Sequence, residues 1–367
     1  MNVQEPLPKE YQGLEPDELR ERIQAAKRAL GGRLVVLGHH YQRDEIIEHA
    51  DYRGDSYKLA KDASRHPEAE FIVFCGVHFM AESADILTPE SQKVILPNLA
   101  AGCSMADMAS AFQVRRCLRE LEGVLGPLEG RMMPVTYINS AASLKAIVGE
   151  RGGTVCTSTN APAAVKWALE RAERLLFFPD QHLGRNTGAA LGFDPDADMA
   201  VWDPSKPLGG LTPEAIRRSR FLLWKGHCSV HMRFSVEQIE DARRRHPGVR
   251  VIVHPECRRE VVQAADLYGS TEFIVKTIRS GKPGDAWAVG TEINLVNRLA
   301  REHPEQTVFC LDPEVCPCST MYRIHPSFLC WALENLTQGR VVNQVKVPPE
   351  VAAPAKLALD RMLELAG

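Results

Sequence analysis

The sequence predicts an α/β protein in which one strand-helix pattern is used three times, each time presenting a cysteine at the carboxyl edge of a parallel sheet. Three observations carry that prediction. From residue 33 onward, apolar runs alternate with amphipathic segments in the order strand, helix, strand, helix, strand, cysteine, the alternation that builds parallel sheets covered by helices. The same order returns twice more at long period, the mark of internal duplication. Each unit also ends on an apolar run that drops into a thiol: VILPNLAAGCSMADM at Cys103, FLLWKGHCSVHM at Cys228 and TVFCLDPEVCPCSTM at Cys316 and Cys318. Open α/β folds collect ligands at that edge, so three such edges could share one metal centre.

Residues 14–30 carry Leu19, Ile23, Ala26 and Leu30 at helical spacing, and Gly31 and Gly32 stop that helix. RLVVLGHHYQ is a short buried strand broken by Gly38, with His39, His40 and Tyr41 at its exit. GDSYKLAKDASRH is a turn with Ser56 at a helix start, FIVFCGVHFMAESADIL a strand feeding a helix, and VILPN the strand before Cys103. The second unit reads MMPVTYINSAASLKAIV, TVCTSTNAPAAVKWALERA, RLLFFPDQHLGRNTGAAL and FLLWKGHC; the third reads VRVIVHPECRREVVQAA, DLYGSTEFIVKTIRSG, WAVGTEINLVNRLAREH and TVFCLDPEVCPC. Cys103 and Cys228 lie 125 residues apart, Cys228 and Cys318 only 90. The excess fits the Pro/Gly/Asp-rich residues 192–214, expected as a surface excursion that could cover a site. The domain organisation expected is an N-terminal helix over 1–32, αβα domains over 33–115, 116–232 (with the 192–214 insertion) and 233–320, and C-terminal helices over 321–367 packing on the core.

Composition narrows the function. A chain of 367 residues with 44% hydrophobic and 25% charged content, a net charge of −3 and a pI near 6.5 is that of a globular enzyme, and it gives no support for nucleic-acid binding. The N-terminus lacks the pattern of a secretory signal, and no run of about 18 apolar residues offers a membrane span. The ten cysteines are therefore read in a reducing cytoplasm, where thiols serve metals, catalysis or packing. Cys75, Cys117, Cys310 and Cys330 sit in apolar runs and are expected to pack as small hydrophobes; Cys257, beside Glu256, is expected to be packed rather than redox-active.

Matched positions across the units say more than any unit alone. The first strands exit at GHHYQ, TYINS and VHPEC, offering His39 with Tyr41, Tyr137 with Asn139, and His254 with Glu256. Spacing by two puts both members of each pair on one face. The second strands exit at Asp55 and Ser56, Thr157 and Ser158, and Ser270 and Thr271, where free N–H groups of a following helix and a hydroxyl would face a carboxylate or phosphate. Three cysteines without close pairing do not make a zinc ribbon. They suit a [4Fe-4S] cluster with one iron lacking a protein ligand, able to act as a Lewis acid beside that polar ring.

The motifs GHHYQ, GDS, CGVHFMAESADIL, LPNLAAGCSMADM, YINS, CTSTNA, PDQHLG, KGHCSVH, VHPEC, GSTEFI, GTE and CPCSTM together resemble the quinolinate synthase A family, in its longer Bacillus-like type, from about residue 33 to 345. The resemblance implies three pseudo-threefold-related αβα sandwich domains with small parallel sheets around a central iron-sulfur site. It implies condensation of iminoaspartate, supplied by L-aspartate oxidase, with dihydroxyacetone phosphate to give quinolinate for NAD biosynthesis in the cytoplasm, with one [4Fe-4S] cluster per chain.

Carried over by position, that resemblance places the cluster ligands on Cys103, Cys228 and Cys318. Cys318 is preferred because the family ligand precedes a methionine by three residues, here Met321; Cys316 is the alternative. Substrate contacts fall on His39, Ser56, Tyr137, Asn139, Ser158, His254, Glu256 and Thr271, with Tyr41 and Ser270 beside them. Glu256 is the expected general acid/base, with Tyr137, His254 and Tyr41 as further catalytic candidates and His39 and the helix starts as anion holders. The rival readings are another [4Fe-4S] hydro-lyase acting on a hydroxy acid and a non-catalytic metal or redox sensor. His66, His246 and His303 are read as helix-end cations; for His78, His182 and His231 a structural and a functional role are both left open.

Overall fold

A computed structural model describes residues 4–314 and 317–365 of the chain; Cys316, the alternative third thiol, lies outside the described residues. The structure is α/β and divides into two compact units.

The first unit comprises the described residues of Met1–Cys103, Glu292–Arg298 and Cys316–Pro348. Its sheet is built on β1 (Leu34–His39), β2 (Tyr52–Gly54), β3 (Phe71–Cys75) and β4 (Lys93–Ile95), all parallel in the order β4-β3-β1-β2, with the short strand Gln344–Val345 antiparallel on β4. β1 and β3 are buried along their whole length. That burial is why their sequences read as unbroken apolar runs rather than alternating ones. The helix Pro16–Leu30 buries Leu19, Ile23, Ala26 and Leu30 and packs on the helix Pro326–Thr337. Glu334 joins the two, accepting from both Nε and Nη2 of Arg22 at 2.8 Å and from the Tyr11 hydroxyl at 2.7 Å.

The second unit comprises the described residues of Ser104–Thr291, Leu299–Val315 and Pro349–Gly367. It holds two sheets. One contains β5 (Met132–Tyr137), β6 (Thr154–Cys156), β7 (Arg174–Phe178), β8 (Met199–Trp202) and β9 (Phe221–Trp224), parallel in the order β6-β5-β7-β9-β8. The other contains β10 (Arg250–Val253), β11 (Leu267–Tyr268), β12 (Ala286–Gly290) and β13 (Thr307–Cys310), parallel in the order β11-β10-β12-β13. Residues 192–214 are more than a loop. They supply β8 as an extra edge strand, bury Trp202 to 1% exposure, and turn through Leu208 and Gly209 at positive φ. The C-terminal helix Pro349–Glu364 packs on the helix Ala142–Glu150 and is tied by Arg361 to the Gly153 carbonyl at 2.6 Å.

Setting aside the added edge strands, each sheet has the order second, first, third, fourth along the chain. The chain therefore leaves the first strand toward one side and returns to build on the other. The crevice beyond the carboxyl ends of the first and third strands is where such sheets bind ligands, and β1, β5 and β10 exit there.

Candidate active site

A buried polar cluster lies in the second unit, where the exits of β5 and β10 bring Tyr137 and Glu256 into hydrogen-bond contact. Glu256 is 2% exposed and His254 likewise 2%. The backbone after β10 makes a tight turn, with the Cys257 N–H donating to the His254 carbonyl at 3.0 Å and the Glu256 N–H to His254 Nδ1 at 3.3 Å. An Nδ1 that accepts leaves the ring proton on Nε2 of the neutral imidazole. His231 stacks on His254 with centroids 4.4 Å apart. Its Nδ1 meets Glu256 Oε2 at 2.8 Å and its Nε2 meets the Thr291 hydroxyl at 3.2 Å. Thr291, His231, Glu256 and Tyr137 thus form one hydrogen-bonded chain.

The electrostatics of that chain are set by burial and by its own members. Burial works against a charge on Glu256, but His231, His254 and the Tyr137 hydroxyl outweigh it and hold the carboxyl well below the usual carboxylate range. Burial, reinforced by His231, keeps His254 neutral down to about pH 3. Asp180, at the end of β7, does the opposite. It is fully buried, its Oδ1 caps the helix Gln181–Ala190 by accepting from the His182 and Leu183 amides at 2.6 and 3.1 Å, and its Oδ2 has no hydrogen-bond partner among the described residues. Burial, with the Glu256 charge added, raises its pKa well above the ordinary carboxylate value. Two neighbouring carboxyls are thereby driven apart in charge, the arrangement from which acid and base roles are made.

In the first unit the exit of β1 repeats the His254 turn. The Tyr41 N–H donates to His39 Nδ1 at 3.1 Å, and the two rings meet edge to face at 4.8 Å. The Tyr41 loop is held from the helix that begins at Ile293. Arg298 donates to the carbonyls of His40 and Gln42 at 2.9 and 2.5 Å and to Asp44 at 2.7 Å, while Asn294 donates to the Tyr41 carbonyl at 3.3 Å. Glu292 is wholly buried and accepts from the Cys318 amide at 3.2 Å and from both nitrogens of Asn294. Burial pushes its carboxyl up to about 7 against those hydrogen bonds.

The three thiols singled out in the sequence share one local setting. Cys103, Cys228 and Cys318 each stand three residues ahead of a 3-10 turn, Ala106–Met108, His231–Arg233 and Met321–Arg323. Each stands seven residues ahead of a side-chain helix cap, Ser110, Ser235 and His325. All three are half-buried. Cys75, Cys117, Cys156, Cys257 and Cys330 are instead buried, and burial pushes their thiols up. In Cys257 the thiol points to the Gly290 carbonyl at 3.9 Å. A second donor set lies close by: Cys228 Sγ and ligand atoms of His231 and Glu256 are within 4.8 Å of one another. The short His231–Glu256 hydrogen bond already occupies two of those donors.

At the second-strand exits the helix starts differ. Asp55 caps the helix Ser56–Ala63 and Ser270 caps Thr271–Arg279, each through its own side chain. After β6 the helix begins only at Ala161, because Asn160 Oδ1 closes a turn on the Thr157 amide and hydroxyl and Pro162 sets the first helical turn. Ser158 therefore lies in that turn rather than at the helix start. Ser158 and Ser270 line one cavity of about 370 Å³, with Leu183, Thr187, Pro255 and Lys276. Asn139 presents a buried Oδ1 that has no partner among the described residues, an acceptor waiting for a donor.

Asp180, Asn186, Thr291 and Glu292 carry no mark in the sequence pairs spaced by two, and His231 is marked only by its closeness to Cys228. PDQHLG and GTE pointed to two of these segments without saying which side chain acts.

A buried carboxylate, neutral histidine and phenol at the carboxyl edges of parallel sheets define an α/β protein with an acid-base site of enzymic type. The profile of the family described as "Quinolinate synthetase A protein" matches residues 21–364. Relatives named quinolinate synthase include one from Corynebacterium glutamicum, 58% identical over 99% of this chain and 91% of its own length. Others come from Herpetosiphon aurantiacus, 56% identical over 98% and 95%, and Geobacillus kaustophilus, 54% identical over the full length of both. The chain belongs to the quinolinate synthetase A family. Among the described residues no helix is long and apolar enough to cross a membrane.

Proposed function

We propose that the chain is a quinolinate synthase of de novo NAD biosynthesis. It condenses iminoaspartate, delivered by an L-aspartate oxidase, with dihydroxyacetone phosphate to give quinolinate with loss of phosphate and water, in the cytoplasm. The observation that carries this reading is the buried Tyr137–Glu256–His231–Thr291 chain in a protein matched to the family over nearly its whole length. Iminoaspartate must lose a proton from carbon to act as an enamine, and later intermediates must lose hydroxyls. Glu256 takes and returns those protons, recharged through His231. Tyr137 donates to oxygen as charge develops there, and His254, neutral with its proton on Nε2, donates without carrying charge of its own. Tyr41 is the fourth catalytic residue. His39, Ser56, Asn139, Ser158, Ser270 and Thr271 hold the carboxylates and phosphate, Asn139 Oδ1 accepting from a substrate N–H or O–H.

The donor chemistry fits a [4Fe-4S] cluster. Three half-buried thiols occupy one repeated loop, and thiolates are the ligands such clusters take. Cys103, Cys228 and Cys318 would hold it, and counting to the turn and cap sets Cys316 two residues out of step. Bound there, it supplies an iron without a protein ligand as a Lewis acid for a hydroxyl or carbonyl oxygen. We further read the recurrent strand order as three αβα domains, 33–115, 116–232 and 233–320, related by pseudo-threefold symmetry.

The test is anaerobic iron and sulfide analysis with a quinolinate assay on the wild type and on Cys103→Ala, Cys228→Ala, Cys316→Ala and Cys318→Ala. Four irons and activity, both kept only by the Cys316 variant, are expected. Zinc in place of iron, or a cluster that survives loss of Cys103, overturns the assignment.

A further inference from the structure

Glu256 can relay protons between Tyr137 and His231 only while its short turn holds the side chain between them. That turn is fastened from outside its own sheet. Asn186, on the helix Gln181–Ala190 that follows β7, is buried to 4% exposure. Its Nδ2 donates to the Pro255 carbonyl at 2.8 Å and to the Cys257 carbonyl at 2.9 Å. These are the carbonyls of the residues on either side of Glu256. A primary amide has two N–H groups in one plane, and here both are spent on carbonyls two residues apart in one turn. The helix that carries Asn186 is itself anchored one and a half turns earlier by the Asp180 cap.

We propose that Asn186 is a positioning residue for the reaction: its amide clamps the Pro255–Cys257 segment and so aims the Glu256 carboxylate. The inference rests on Glu256 being the acid-base group. The geometry accounts for why two hydrogen bonds from one side chain fall on either side of Glu256 rather than on scattered acceptors. Without the clamp the flanking carbonyls would still be buried, now unpaired, and the peptide units would turn to find other donors. A misplacement of about 1 Å at a reacting group is enough to cost on the order of 100-fold in rate.

Asn186→Leu keeps the volume and removes both donors. With the holoenzyme, kcat is expected to fall 10- to 100-fold while KM for both substrates stays within twofold and iron content holds; Tm falls modestly, because two buried carbonyls lose their donor. Asn186→Met, similar in size and free of donors at any pH, is measured alongside it and is expected to show the same split. Each substitution is then combined with Glu256→Gln; if the clamp acts through Glu256, the two losses do not multiply. The proposal is overturned if Asn186→Leu or Asn186→Met keeps kcat within twofold, if KM rises instead, or if the loss is the same multiple in the Glu256→Gln background. Wild-type turnover by Glu256→Gln alone would instead sink the assignment of Glu256, a failure distinguishable from that of the clamp.

Discussion

Asp180 and Glu256 are both fully buried, and burial together with the Glu256 charge pushes the Asp180 carboxyl up while the Glu256 carboxyl is held down. Oδ2 of Asp180 finds no partner among the described residues, and the two amides that donate to its Oδ1 are outweighed by burial and by the Glu256 charge. For an acid whose pKa is raised by folding, the native state holds a proton that the unfolded chain has released. Its contribution to stability is therefore whole below the unfolded value of roughly 3.9 and is lost as pH rises toward the folded one. Asparagine caps a helix as well as aspartate does and does not titrate. Asp180→Asn is thus expected to match or exceed the wild-type urea midpoint at pH 7 and to lose that advantage near pH 4. A large loss of stability at pH 7 would mean that the group is ionised and paired. The candidate site was legible where chemistry follows the two-residue period of a strand, as at His39 and Tyr41, Tyr137 and Asn139, and His254 and Glu256. Asp180, Asn186 and Thr291 were not, because their meaning lies in which other strand's exit they meet, and no local spacing encodes that.

At the scale of the element, most strands and helices announced themselves by buried runs or amphipathic period, and the exceptions have physical causes. β8 is four residues of MAVW between Asp198 and Asp203, too short for a period and flanked by turn formers, and only pairing with β9 makes it a strand. The antiparallel strand Gln344–Val345 is two residues long and is defined by its partner alone. Nor did the amphipathic tail say what it would pack on. It lies so close to the helix Ala142–Glu150 that a Cβ at Gly149 would stand 1.8 Å from the Pro354 carbonyl oxygen. Alanine gains about 1 kcal/mol over glycine in a helix interior. Here the obstacle is backbone, which cannot swing aside, and overpacking of that kind costs about 1–3 kcal/mol. Gly149→Ala should therefore be net destabilising in urea melts; a midpoint at or above wild type would show that the helix Pro349–Glu364 shifts freely.

At the scale of the whole molecule, the cysteines among the described residues sort into two populations, and that partition yields a test independent of turnover. Only the thiolate attacks an alkylating reagent, so reactivity follows thiol pKa and exposure. Burial pushes the Cys75 and Cys330 thiols up to about 12 and raises those of Cys117, Cys156 and Cys257 as well, which leaves essentially no thiolate at neutral pH. Cys103, Cys228, Cys310 and Cys318 are the half-buried ones among the described residues. Cys310 lies within β13 with its thiol 4.0 Å from the Thr291 carbonyl oxygen, outside the repeated cysteine loop. Brief iodoacetamide treatment of the metal-free chain, followed by peptide mass mapping, should therefore label those four and spare the five buried ones. After anaerobic reconstitution with iron and sulfide, protection should extend to Cys103, Cys228 and Cys318 together while Cys310 still reacts. Protection of Cys310 with one of the other three left open would move the metal centre. Labelling of Cys257 as fast as Cys228 in the folded chain would mean that the turn presenting Glu256 opens to solvent, and the buried relay would then have no dry site in which to work.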